Sequence, residues 1–88
     1  MSDAVFEQVR EHLAGVAQEA TVAHGVLALL VEPEHLLDVV RALKDAFAFD
    51  MFLDVTAVDW PEREPRFDVV WHFYSTRHFV RVRVKTRV

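Results

Sequence analysis

The sequence predicts an α+β domain: a two-layer sandwich ordered α-β-β-α-β-β-β, with a mixed five-stranded sheet and two helices on one face. Three observations lead there. Residues 79–88, FVRVRVKTRV, alternate apolar and mostly basic side chains, the period-two signature of a strand with one buried face. Residues 33–48 place Leu36, Val39, Val40, Leu43 and Phe47 at helical spacing, with Glu34, Asp38, Arg41, Lys44 and Asp45 between them. Residues 49–75, FDMFLDVTAVDWPEREPRFDVVWHFYS, set two β-rich runs on either side of a charged segment bracketed by prolines.

Each element then has its own warrant. Ser2 or Asp3 can cap a first helix and Gly15 can close it. Between them Val5, Phe6, Val9 and Leu13 form one apolar stripe. Residues 16–22 and 26–31 read as two short strands joined at His24-Gly25. Pro33 suits the first turn of the second helix, where its missing N–H costs nothing. Residues 51–58 form a third strand and 67–75 a fourth, in which Phe67, Val69, Trp71 and Phe73 share one face and Asp68, Val70, His72 and Tyr74 the other. In the fifth, residues 79–88, Val80, Val82, Val84 and Val88 oppose Arg81, Arg83, Lys85 and Arg87. A two-residue turn at Thr76-Arg77 would pair Phe73 with Val80, Trp71 with Val82 and Val69 with Val84. It would set Asp68 opposite Lys85 and His72 opposite Arg81. Trp71 and Leu43 are then expected in the core. The helix-free face is expected to carry Asp54, Thr56, Asp68, His72, Tyr74 and the four basic residues, together with Phe52 and Val70.

Composition bounds the chemistry. With 88 residues, the chain is read as a single domain, 1–88, able to bury roughly 60–65% of its unfolded surface. It is 52% apolar and 27% charged, which supports a core. Two isolated glycines leave no glycine-rich phosphate loop. The absence of cysteine excludes a thiolate metal site, a Cys-ligated iron–sulfur cluster and a cysteine nucleophile, and fits a reducing compartment. A net charge of −4 disfavours nucleic acid. The longest apolar run, residues 26–31, is far short of the roughly 20 residues that span a bilayer, so no membrane insertion is expected.

No side-chain constellation assembles into a catalytic site. Glu62-Arg63-Glu64 sits between Pro61 and Pro65 with Arg66 beside it, and neighbouring cations would keep both glutamates ionised, wrong for a general acid. The segment reads as a connector. Five histidines lack metal-ligand spacing, and Asp54 and Asp59, five apart on a regular strand, point to opposite faces. The expectation is no catalytic residue, no cofactor-binding residue, no metal ligand and no cofactor. Asp68, His72, Tyr74, Arg81, Arg83, Lys85 and Arg87 remain as residues of a protein-docking face. The alternatives are a solvated strand face, a small hydrolase or metal-binding domain using His72, Asp68 and Asp54, and a free-standing protein-interaction adaptor.

Residues 49–88 closely resemble the amino-terminal domain of the 30 kDa (C) subunit family of proton-pumping NADH–quinone oxidoreductase, respiratory complex I. The likeness lies in the strand ending Val58-Asp59-Trp60, the loop holding Glu62-Arg63-Glu64, the aromatic strand after it, and RVRVKTRV; LLDVVRALKDAF fits the preceding helix. The resemblance implies a non-catalytic structural subunit of the peripheral arm, holding no flavin, cluster or quinone, with other peripheral-arm subunits as partners. It implies a peripheral place on the cytoplasmic side of the bacterial inner membrane. Family members continue into a second half with a tryptophan-associated Glu-Arg-Glu and Asp pattern followed by Phe-Gly. Glu62-Arg63-Glu64 is not that motif, and the sequence is expected to lack that half.

Overall fold

The computed structural model describes residues 2–88 along the backbone and 4–88 in their side chains, so the cap expected from Ser2 or Asp3 lies outside the described side chains. The elements run α1 (Ser2–His12), β1 (Ala17–Ala23), β2 (Val26–Val31), a 3-10 turn (Pro33–His35), α2 (Leu36–Phe47), β3 (Met51–Asp59), β4 (Phe67–Ser75) and β5 (Val80–Arg87). The sheet order is β1-β2-β5-β4-β3, with β2 and β5 parallel and the other pairs antiparallel. This is the mixed five-stranded α+β arrangement expected.

Local chemistry explains the boundaries. His24 and Gly25 both have positive φ, 53° and 74°, the backbone of a two-residue hairpin turn whose twist matches the strands it joins. Pro33 opens the 3-10 turn leading into α2. That helix ends at Ala48 in the left-handed region, and the Phe49 N–H donates back to the Leu43 carbonyl at 2.9 Å. The turn drives the Phe49 ring into the core, where it is buried.

The core lies between the helices and one face of β2, β5 and the inner part of β4. All four members of the α1 stripe, Val5, Phe6, Val9 and Leu13, are buried there. They meet Val39 and Leu43 of α2, Leu27, Leu29 and Val31 of β2, and Val80, Val82 and Val84 of β5. Burying each such aliphatic side chain is worth about 1.5–3 kcal/mol.

Three expectations need correction. The β4–β5 turn has four residues, Thr76 to Phe79, not two: the Phe79 N–H donates to the Ser75 carbonyl at 2.8 Å and the His78 N–H to Ser75 Oγ at 3.0 Å. Phe79 takes φ 58° at the turn and leaves the strand. The register therefore moves by two: Phe73 faces Val82, Trp71 faces Val84, Val69 faces Thr86, Asp68 faces Arg87 and His72 faces Arg83. An even slip preserves which face each side chain occupies.

The second correction is at β3, where a bulge at Leu53 lets Phe52 oppose Phe73 while Asp54 opposes His72. Phe52 thus belongs to the helix side, its ring centroid 5.7 Å from that of Phe73. The third is Trp71. It packs only partly buried at the rim of the core, because the core packing beneath the helices does not extend over the outer strands. Leu43 is buried as expected. Among the described residues, no helix is long and apolar enough to cross a membrane.

Candidate functional site

On the helix-free face, the register lines side chains into rows across the strands. One runs Asp54, His72, Arg83, Ala28, Thr21; the next runs Thr56, Val70, Lys85, Leu30, Glu19. Met51, Tyr74, Arg81 and Val26 lie to one side, and Val58, Asp68 and Arg87 to the other. The basic stripe of β5 therefore runs down the middle of the face, with carboxylates towards both margins. This surface holds an open concavity of about 320 Å³, lined by the polar side chains of His72, Arg83, Lys85 and Glu19 together with the apolar Val70, Ala28 and Leu30.

Asp68 anchors one end. Its carboxylate is buried at the mouth of the β3–β4 loop, where it accepts from Trp60 Nε1 at 3.1 Å and from both terminal nitrogens of Arg63. Arg63 also donates through Nε to the Pro65 carbonyl at 2.9 Å and lies over the Trp60 ring. Arg87 Nε lies 3.9 Å from the same carboxylate. The Arg63 hydrogen bond holds the Asp68 carboxyl below the usual carboxylate range; burial opposes it, and the charges of Arg63 and Lys85 and the Trp60 N–H reinforce it.

Asp68 is therefore occupied. Of the residues expected to dock a partner, it shapes the loop rather than presenting a free charge. His72, Tyr74 and Lys85 are half-buried, and Arg81, Arg83 and Arg87 are exposed. The loop is a connector, as read, but its cations serve the strand aspartates and not the glutamates. Arg63 holds Asp68, while Arg66 forms a two-point pair with Asp59 at 2.6 and 2.9 Å. Sequence reading missed this clamp. The available signal was the arginine at Asp59+7 and the tryptophan and arginine preceding Asp68, spacings that fit a closed loop between paired strands.

The set His72, Asp68 and Asp54 does not converge. His72 Nε2 and Asp54 Oδ1 stand 3.9 Å apart, but Asp68 lies four strand residues away, about 13 Å at the strand rise, and is committed to Arg63. The arrangement offers a shallow amphipathic surface with a cationic spine. Such a surface can order and steer a partner; it lacks a paired acid and base around a reacting atom.

A family profile described as "Respiratory-chain NADH dehydrogenase, 30 Kd subunit" matches residues 29–88. The chain belongs to this family. The NADH-quinone oxidoreductase C subunit of Methylobacterium sp. (strain 4-46) is 41% identical over 86 residues, covering 96% of this chain and 40% of that protein. The corresponding C subunit of Rhodobacter capsulatus is 43% identical over 88 residues, covering 90% of this chain and 44% of that protein. Among solved structures, a chain in the membrane-bound sulfane sulfur reductase, an archaeal respiratory membrane complex, superimposes with a TM-score of 0.82 at 30% identity, covering 97% of this chain and 48% of that chain. This chain spans about two-fifths of the length of the curated relatives it matches. The likeness read from residues 49–88 thus extends over nearly all of it.

Proposed function

We propose that this domain is a non-catalytic structural part of a respiratory NADH–quinone oxidoreductase, and that it contributes to NADH-to-quinone electron transfer by holding neighbouring subunits in place. It packs in the peripheral arm, on the cytoplasmic side of the bacterial inner membrane, beside the subunits that carry clusters and quinone. The observation that carries this reading is the family match together with the character of the helix-free face. That face joins a cationic spine to an apolar floor and has no convergent acid, base and nucleophile.

Docking on this face would be steered by Arg81 and Arg83, which stand exposed on β5. Exchanging both for glutamate should slow association with partner subunits and reduce its salt dependence, because complementary charge acts mainly on the encounter rate. Exposed substitutions of this kind usually cost no more than about 0.5 kcal/mol. Association kinetics of the folded double variant across a salt series test the reading. Wild-type rates at every salt concentration would reduce the basic stripe to a solvated strand face.

A further inference from the structure

Strand β3 forms one margin of the sheet and, among the described residues, pairs only with β4. Its outer row of backbone N–H and C=O groups is therefore open to an additional strand. Edges that face only water are usually blunted with charge, lysine above all, with proline, with bulges or with a covering loop. Residues 50–60 contain no lysine, arginine, proline or glycine. A bulge at Leu53 is the one irregularity, and pairing with β4 runs unbroken from Asp54 to Asp59.

The edge is also apolar on both sides. All nine residues of β3 are exposed, with Phe52 and Val55 at 57% and 50%. Among the described residues, seven of the eleven exposed large hydrophobic side chains fall between Met51 and Phe67. Apolar exposure concentrated in one stretch marks a surface that is covered in the working assembly. The charge beside it has one sign. Residues 50–64 hold Asp50, Asp54, Asp59, Glu62 and Glu64 against Arg63 alone, and Arg63 is committed to Asp68. Arg66 matches Asp59, which leaves Asp50, Asp54 and the two glutamates as the acidic surplus.

From this edge we infer that β3 receives an extended segment of a neighbouring subunit, apolar and carrying lysine or arginine, as a sixth strand of the sheet. Main-chain hydrogen bonds supply the attachment. Alternate side chains of the added strand cover Phe52 and Val55 on one side and bring a cation towards Asp54 on the other. A second copy of this chain fits less well, since pairing two β3 edges would crowd like-charged acidic margins together. The inference rests on the reading of the chain as part of a respiratory complex.

The test compares hydrogen exchange over residues 51–59 in the free full-length subunit and in the purified assembled complex. The β3 amides that point away from β4 should slow by about tenfold or more on assembly, while the exposed margin of β1 keeps its free rate. A photo-crosslinking phenylalanine analogue replacing Leu53 should form its adduct with an extended, lysine- or arginine-bearing segment of another subunit. Asp54→Lys should reduce incorporation into the complex several-fold without lowering the thermal stability of the free subunit. An adduct from a helix, from an acidic segment or from a second copy overturns the inference, as does β3 exchange at the free rate within the complex. Failure of the subunit to assemble at all would instead break the functional reading beneath it.

Discussion

The two margins of the sheet meet solvent on opposite terms. Along β1 the exposed positions are mainly small or polar, Gln18, Glu19, Thr21 and Ala23. That margin lies beside the core packed beneath α1 and α2, and Val22 is its one exposed large aliphatic side chain. Along β3 all nine residues are exposed, and five of them are large and apolar, Met51, Phe52, Leu53, Val55 and Val58, beside Asp54, Thr56, Ala57 and Asp59. The difference shows that the helices complete only half of this sandwich. The half under them folds as a core; the other half keeps apolar area that folding leaves in water, where it can contribute free energy only when something arrives to cover it.

A set of truncations to alanine should read this contrast as a gradient. Leu43→Ala, in the closed half, removes a fully buried side chain and should cost about 3 kcal/mol. Trp71→Ala, at the rim, should cost about 2 kcal/mol, below the usual range for a buried aromatic because the ring is already partly wet. Val55→Ala on the bare margin should cost under about 1 kcal/mol in the free chain. Urea unfolding of the three variants measures it. Equal losses at Leu43 and Val55 would mean that the two halves of the sheet are equally closed.

A smaller effect sharpens the same comparison, because the bare half is tied down by charge. Asp68→Asn weakens the attachment of Arg63 and the β3–β4 loop and should cost about 1–2 kcal/mol at neutral pH. The folded Asp68 carboxyl titrates below its ordinary value of 3.8. Its contribution is therefore full above that value and is lost as pH falls through the lower, folded one. The stability gap between wild type and Asp68→Asn should stay constant from neutral pH to about 4 and close below it. A gap that is unchanged at pH 3 would remove Arg63 as the reason the loop is held.

Much of this was legible in the sequence. The period of residues 79–88 and the stripe Leu36 to Phe47 specify element and face, because both follow from which side chains leave water. Register was less accessible. The two-residue turn at Thr76-Arg77 is compatible with the pattern, and only the Ser75 carbonyl and hydroxyl, accepting from Phe79 and His78, select the longer turn. Since the alternation repeats every two residues, a slip of two leaves no trace in it. The bulge at Leu53 was hidden for a related reason: the apolar run Met51-Phe52-Leu53 has no alternation to break. The docking residues were chosen by face, and that survives the slip. The Arg63–Asp68 clamp left only a spacing in the sequence, because it joins a loop to a strand and its geometry depends on how the loop folds back.

The position of β5 carries a consequence for how the protein is made. It is the fifth strand in sequence and the central one in the sheet, parallel to β2 on one side and antiparallel to β4 on the other. The hairpin of β1 and β2 and the hairpin of β3 and β4 share no ladder without it. During synthesis the ribosome therefore releases two halves that cannot join until β5 emerges, and the long separation between β2 and β5 adds loop closure to the wait. Ribosome-stalled chains of increasing length should gain protease resistance only once Arg87 has cleared the exit tunnel. Until that moment the sheet faces that β5 will join stay incomplete, and apolar surface exposed in this way is what makes partly folded chains prone to aggregate.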